Sequence, residues 1–112
     1  MPAHIYSIIG EWKMGVQANI DACKADQKFL QTLPENKPGK QYNNLYMCHN
    51  SHMLIYDAMM IGMYEEAMNY ALEMEARLLR VAEDYPEWWN YEYGPLLDGF
   101  VPMVYMVYVR FF

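Results

Sequence analysis

Two stretches of this 112-residue chain share one layout, GEWKMGVQANIDACKAD over 10–26 and GMYEEAMNYALEME over 62–75. Each opens on glycine, places an aromatic two residues on, and puts a small residue five on. Setting Gly10 against Gly62 pairs Trp12 with Tyr64, Gly15 with Ala67 and Ala22 with Met74; upstream, Ala3 meets Ile55 and Tyr6 meets Ala58. Glycine accepts the backbone geometry at which a helix stops and the chain turns back. An aromatic beside that turn can fill the crevice between two helices, and a small residue lets them cross closely. The phrase therefore specifies an antiparallel helical hairpin, written twice. One hairpin cannot bury both of its faces, whereas stacked copies share an interior, as in α-solenoids.

The rest of the chain fits this frame. Residues 3–9, AHIYSII, form a short apolar segment that ends at Gly10, and Pro2 suits a first helical turn. From Glu11 to about Leu30 the period is helical, with Gly15, Ala18, Ala22 and Ala25 forming a stripe of small side chains on one face. Residues 31–44, QTLPENKPGKQYNN, carry two prolines, a glycine and several polar residues, and read as a loop. The following segment, LYMCHNSHMLIYDAMMI over 45–61, is apolar nearly all round. Met47, Leu54, Ala58 and Ile61 mark one face, and Leu45, His49, His52, Tyr56 and Met60 another. Such a helix belongs between neighbours.

After Gly62 a helix runs from about Tyr64 to Glu83, with Ala67, Ala71, Met74 and Leu78 facing the core and Glu65, Glu66, Glu73 and Glu83 facing water. Glu73 and Arg77 have the favourable acid-before-base spacing. Glu65 and Glu66 suit a solvated helix start that complements the macrodipole. The connector DYPEWWNYEYG is aromatic and expected to pack down over the repeats. A last apolar segment, 98–112, reads as a helix, although its β-branched and aromatic content also suits a strand. The expected organisation is one all-α domain: hairpin 1 about 3–31, loop 32–44, hairpin 2 about 45–83, linker 84–97 and a last helix 98–112.

Composition limits the function classes. A net charge of −6 with only eight basic residues argues against nucleic-acid binding, which needs clustered Lys and Arg. No run of 18 apolar residues predicts a membrane-spanning helix, and the N-terminus lacks the regions of a signal peptide. Cys23 and Cys48 sit in helical patterns outside any CxxC motif, so reduced thiols in small core positions, in a cytoplasmic protein, are expected. Eleven Met and eleven Tyr suit helix-on-helix packing and broad contact surfaces. No GxGxxG, P-loop, HExxH or GxSxG motif occurs, so no residue is assigned a catalytic role and no cofactor is expected.

The stretch GMYEEAMNYALEME resembles the second half of a tetratricopeptide-repeat (TPR) motif, with Gly62, Tyr64 and Ala67 at its turn, aromatic and small positions. Gly10, Trp12, Gly15 and Ala22 resemble the same half in the first copy. More narrowly, MPAHIYSIIGEWKMGVQANIDACKAD, HNSHMLIYDAMMIGMYEEAM and VPMVYMVYVRF are together similar to a divergent, histidine-bearing group of TPR-containing proteins. The spacing departs from that family: the copies lie 52 residues apart, against about 34 for the usual repeat. Ile55 and Met74 stand where the general motif has small residues, and no proline closes the second copy. The last helix looks like the first half of a third hairpin, so the chain reads as a fragment or a shortened relative.

The resemblance implies a short α-solenoid of two hairpins and a further helix that mediates protein–protein interaction and has no chemistry of its own. A protein or peptide partner would meet the groove formed by the first helix of each hairpin. The groove candidates are His4, Tyr6, Asn19, His49, Asn50, His52 and Tyr56. A rival reading is chemical. His49 and His52 share a helix face, and stacked first helices would bring His4 toward them, making a three-imidazole cluster for Zn²⁺ with Asn50 and Asp57 orienting the rings. Histidines bonded to backbone, Tyr or Asn explain the same residues without metal. A third reading is a structural subunit that forms a homo-oligomer through the apolar last helix.

Overall fold

The computed structural model describes residues 2–34, 38–87 and 103–112, with the side chains of 38–45 excepted. Among the described residues the regular structure is entirely helical: α1 (Pro2–Ile9), α2 (Trp12–Thr32), α3 (Pro38–Met60), α4 (Tyr64–Asp84) and α5 (Met103–Phe111). Each helix packs on the next in sequence; in addition, α1 packs on α3 and α3 on α5. The core therefore runs along α3, which touches all four other helices. That is why its segment is apolar on several sides.

The two joints are built alike. Gly10 has φ +79° and Gly62 has φ +77°, and no other described residue has positive φ. At the first joint Glu11 N–H donates to Tyr6 C=O at 2.8 Å and Gly10 N–H to Ser7 C=O at 3.4 Å. These are the two bonds of a Schellman cap, which satisfy helix-end carbonyls that would otherwise lack partners. At the second joint Met63 N–H donates to Ala58 C=O at 2.9 Å, the counterpart of the Glu11–Tyr6 bond 52 residues on. Helices α2 and α4 then start in the same way, through Gly15 N–H to Glu11 C=O and Ala67 N–H to Met63 C=O, both 3.0 Å.

The aromatic after each glycine reaches forward to the next first helix, and Tyr64 packs against the core as well. Trp12 meets Tyr56 of α3 edge-on, with ring centroids 6.0 Å apart. Tyr64 meets Phe111 of α5 in the same manner at 5.3 Å, and Phe112 at 5.2 Å. Each joint thus supplies a wedge against the following first helix, and the geometry set at Gly10 recurs at Gly62.

The core face expected on α4 is the one observed: Ala67, Ala71, Met74 and Leu78 are buried, and Val81 extends the stripe by a turn. Glu73 and Arg77 pair at 3.4 Å. On α3, Met47, Leu54 and Ala58 are buried, whereas Ile61 is exposed where the chain leaves the helix. Leu54, Ile55 and Leu78 are essentially inaccessible, and each such side chain contributes roughly 1.5–3 kcal/mol through burial.

Two expectations need correction. The loop placed at 32–44 is shorter, because α3 starts at Pro38. Proline is favoured at a first helical position, where its missing N–H has no intrahelical partner to lose. The small stripe of α2 is only partly an interface. Gly15 is buried and Ala18 and Ala22 half-buried, but Ala25 is exposed, and the buried row is Gly15, Val16, Asn19 and Cys23. The last segment is helix over Met103–Phe111, as expected. The aromatic connector's Trp88, Trp89, Tyr91 and Tyr93, and residues 98–102, lie outside the described residues.

Candidate functional site

Helix α1 has eight residues, too few to hold helical form alone. Its contacts with α2 and α3 fix it, and they bring most of the singled-out polar residues together. His4 Nε2 lies 3.2 Å from His49 Nε2, with ring centroids 5.3 Å apart. Beside them His4, Asn19, His49 and Asn50 line a small cavity of about 50 Å³, floored by Ala18 and Ala22. The small side chains of α2 leave this space. Asn19 is buried and its amide donates to Gly15 C=O at 3.0 Å. Asn50 donates to Asp26 Oδ2 at 2.8 Å, linking α3 to α2.

The other candidates stand apart from that cavity. Tyr6 and His52 are half-buried and Tyr56 is exposed, and none of the three lines it. Tyr56 is the contact of Trp12. Among the described residues no group of three or more His, Cys, Asp or Glu could hold a metal ion. The three-imidazole set expected of His4, His49 and His52 is therefore not assembled. Of the residues expected to orient imidazoles, Asn50 donates to Asp26 and Asp57 accepts from Ser7.

Burial, reinforced by His4 and the N-terminal charge, pushes the His49 imidazole below its usual range. Burial and then His49 do the same to His52. Both rings are thus held toward the neutral form. A hydrogen bond between the Nε2 atoms of His4 and His49 uses one N–H and one lone pair, so it too excludes a doubly protonated pair.

Asp57 is a functional-site residue in disguise or a structural one, and its surroundings decide for structure. It is completely buried in the α1–α2–α3 junction. Its Oδ1 lies 2.7 Å from the Ser7 hydroxyl, and its Oδ2 has no partner. Ser7 Oγ also lies 2.9 Å from Ala3 C=O. Burial pushes the carboxyl above its ordinary range, with Ser7 and the charge of His4 pulling it back. The Ser7 hydroxyl donates to Asp57 Oδ1 and also lies within reach of Ala3 C=O, so its one hydrogen serves two acceptors. The carboxyl sits against Gly15, where a Cβ would strike Oδ2. The lone acid in LIYDAMMI was the sequence signal for this site.

Cys23 and Cys48 are free and buried, as expected. Burial raises the Cys23 thiol and takes Cys48 up to about 12, so neither is a thiolate near neutral pH. A second cleft, about 360 Å³ and open, lies between the C-terminal halves of α2 and α4. Its charged lining is mixed, with Arg77, Arg80 and Asp84. No described helix is long and apolar enough to cross a membrane. Comparison with protein-family models, with curated proteins and with solved structures returns no match for this chain.

Proposed function

We propose that the chain is a TPR-like helical-repeat module that binds a protein or peptide partner along the side where the first helices α1 and α3 meet. The observation that carries this reading is the recurrence of one joint. Gly10 and Gly62 adopt the same left-handed turn, and Trp12 and Tyr64 each wedge against the next first helix. That is the plan of a stacked array, in which successive first helices line one continuous face. Where α1 and α3 meet α2, His4, Asn19, His49 and Asn50 bring polar groups to a small recess, a feature suited to orienting a partner's backbone or polar side chain. The fold alone does not fix the function.

The test is affinity capture with the wild-type protein and with a folded His49→Ala/Asn50→Ala/Tyr56→Ala variant, followed by binding of each captured protein in purified form. A partner that loses at least tenfold in affinity for the variant supports the proposal. Purified partners that bind both proteins equally refute it.

A second reading, homo-oligomerisation through the last helix, is favoured by the outer face of α5. Tyr105, Met106, Tyr108, Val109 and Phe112 are all exposed there, and an apolar patch of this kind commonly marks an interface. Sizing across a hundredfold range of concentration separates the two, since a strict monomer excludes it.

A further inference from the structure

We infer that His4 and His49 form a two-imidazole binding site for a divalent cation of the Zn²⁺ class, which fastens α1 to α3. The geometry is that of a ligand pair. Two Zn–N bonds of about 2.05 Å at a tetrahedral angle set their nitrogens about 3.3 Å apart, and a right-angled pair sets them about 2.9 Å apart. The observed Nε2–Nε2 separation is 3.2 Å, on the tetrahedral side. Both nitrogens that converge are ε nitrogens, at the tips of the rings.

The surroundings suit an ion that keeps water. No third His, Cys, Asp or Glu completes the set among the described residues, so solvent or a bound ligand's donor must take the remaining positions. The cavity of about 50 Å³ beside the rings gives that solvent room. Two amides line it, Asn19 and Asn50, and each donates an N–H to protein. The Oδ1 of each is the group that remains to accept a hydrogen bond from metal-bound water. Such outer contacts orient and strengthen a metal site. With only two protein ligands the affinity falls below that of a closed structural zinc site.

The site differs from the three-histidine cluster that the sequence suggested, and it does not depend on a protein occupying the groove. Its consequence is mechanical. Helix α1 is too short to persist alone, and His4 is one of its few side chains held by α3. An ion shared by His4 and His49 adds a cross-link between residues 45 positions apart in the chain.

The experiment is equilibrium dialysis of the untagged, chelator-treated protein against Zn²⁺, with the Co²⁺ visible spectrum as a geometric probe. The variants are His4→Ala, His49→Ala and the milder His4→Gln and His49→Gln, each checked for helical content. The expected result is one ion per chain, an intense tetrahedral Co²⁺ spectrum, and an affinity loss of at least tenfold in every variant. Zn²⁺ should also raise the Tm of the wild type and slow amide exchange in α1. Absence of binding at micromolar Zn²⁺ overturns the inference. So does binding that survives replacement of His49, which would place the ion on His4 and the chain terminus or on the thiols.

Discussion

Gly15 lies inside helix α2, where alanine is ordinarily the better residue by about 1 kcal/mol. Here Gly15→Ala should destabilise. A Cβ at this position meets Oδ2 of Asp57, and Asp57 is fully enclosed, so its short side chain cannot swing into water. The carboxyl must be displaced, at an overpacking cost of about 1–3 kcal/mol. Its 2.7 Å bond to Ser7 is lost with it, which leaves a buried polar group unsatisfied at a further cost of about 1–3 kcal/mol. Against the helix gain of about 1 kcal/mol, the net loss is about 3 kcal/mol. For a domain of this size that is a fall in Tm of about 12 °C. The assay is thermal unfolding by circular dichroism, run as a double-mutant cycle with Asp57→Ala. The added methyl then occupies the space the carboxyl vacates, and a favourable coupling of at least about 1 kcal/mol is expected. A rise in Tm for Gly15→Ala alone would show that Gly15 is an ordinary exposed-type helix position and refute the reasoning.

Other outcomes follow from the same structure. Gly10→Ala and Gly62→Ala should each cost about 1–2 kcal/mol through strain at positive φ, by similar amounts because their joints match, as read by denaturant midpoints. Asp57→Asn should gain stability relative to wild type as pH rises. The folded carboxyl titrates above its unfolded value, so wild-type stability falls between those two pH values and is then constant, while the amide is insensitive; melts from pH 4 to 8 check this. His52 has the opposite sign. Its imidazole is depressed in the fold, so stability is lost as pH falls below about 6.5, and His52→Gln should flatten that limb of the same titration. Native protein should react slowly with a thiol reagent at both cysteines, and rapidly once denaturant is added, because both thiols are buried and protonated.

The glycine joints were legible in the sequence because positive φ has few other tenants, and both occur where the two phrases placed them. The core face of α4 was legible for a similar reason. Ala67, Ala71, Met74 and Leu78 keep strict helical spacing with acids on the other side, so one face alone can be buried. The start of α3 was not, since Pro34, Pro38 and Gly39 serve as loop punctuation and helix starts alike. On α2 the core place of Cys23 was legible, but the small-residue stripe took in Ala25, which is exposed, and passed over Val16, which is buried. His4 and His49 could be brought together by stacking first helices in the mind. The exclusion of His52 from the same cavity depends on rotation about α3, which a period of 3.6 residues cannot fix to the width of one side chain. The role of Asp57 requires knowing that Gly15 lies opposite, a contact between different helices that no local pattern carries.

The central claim is that two hairpins with one kind of joint stack so that each joint's aromatic packs on the following first helix. Nuclear Overhauser effects between aromatic rings test it most directly. The account predicts cross-peaks from the Trp12 indole to the Tyr56 ring and from the Tyr64 ring to Phe111. Cross-peaks from Trp12 and Tyr64 confined to their own hairpins would contradict it.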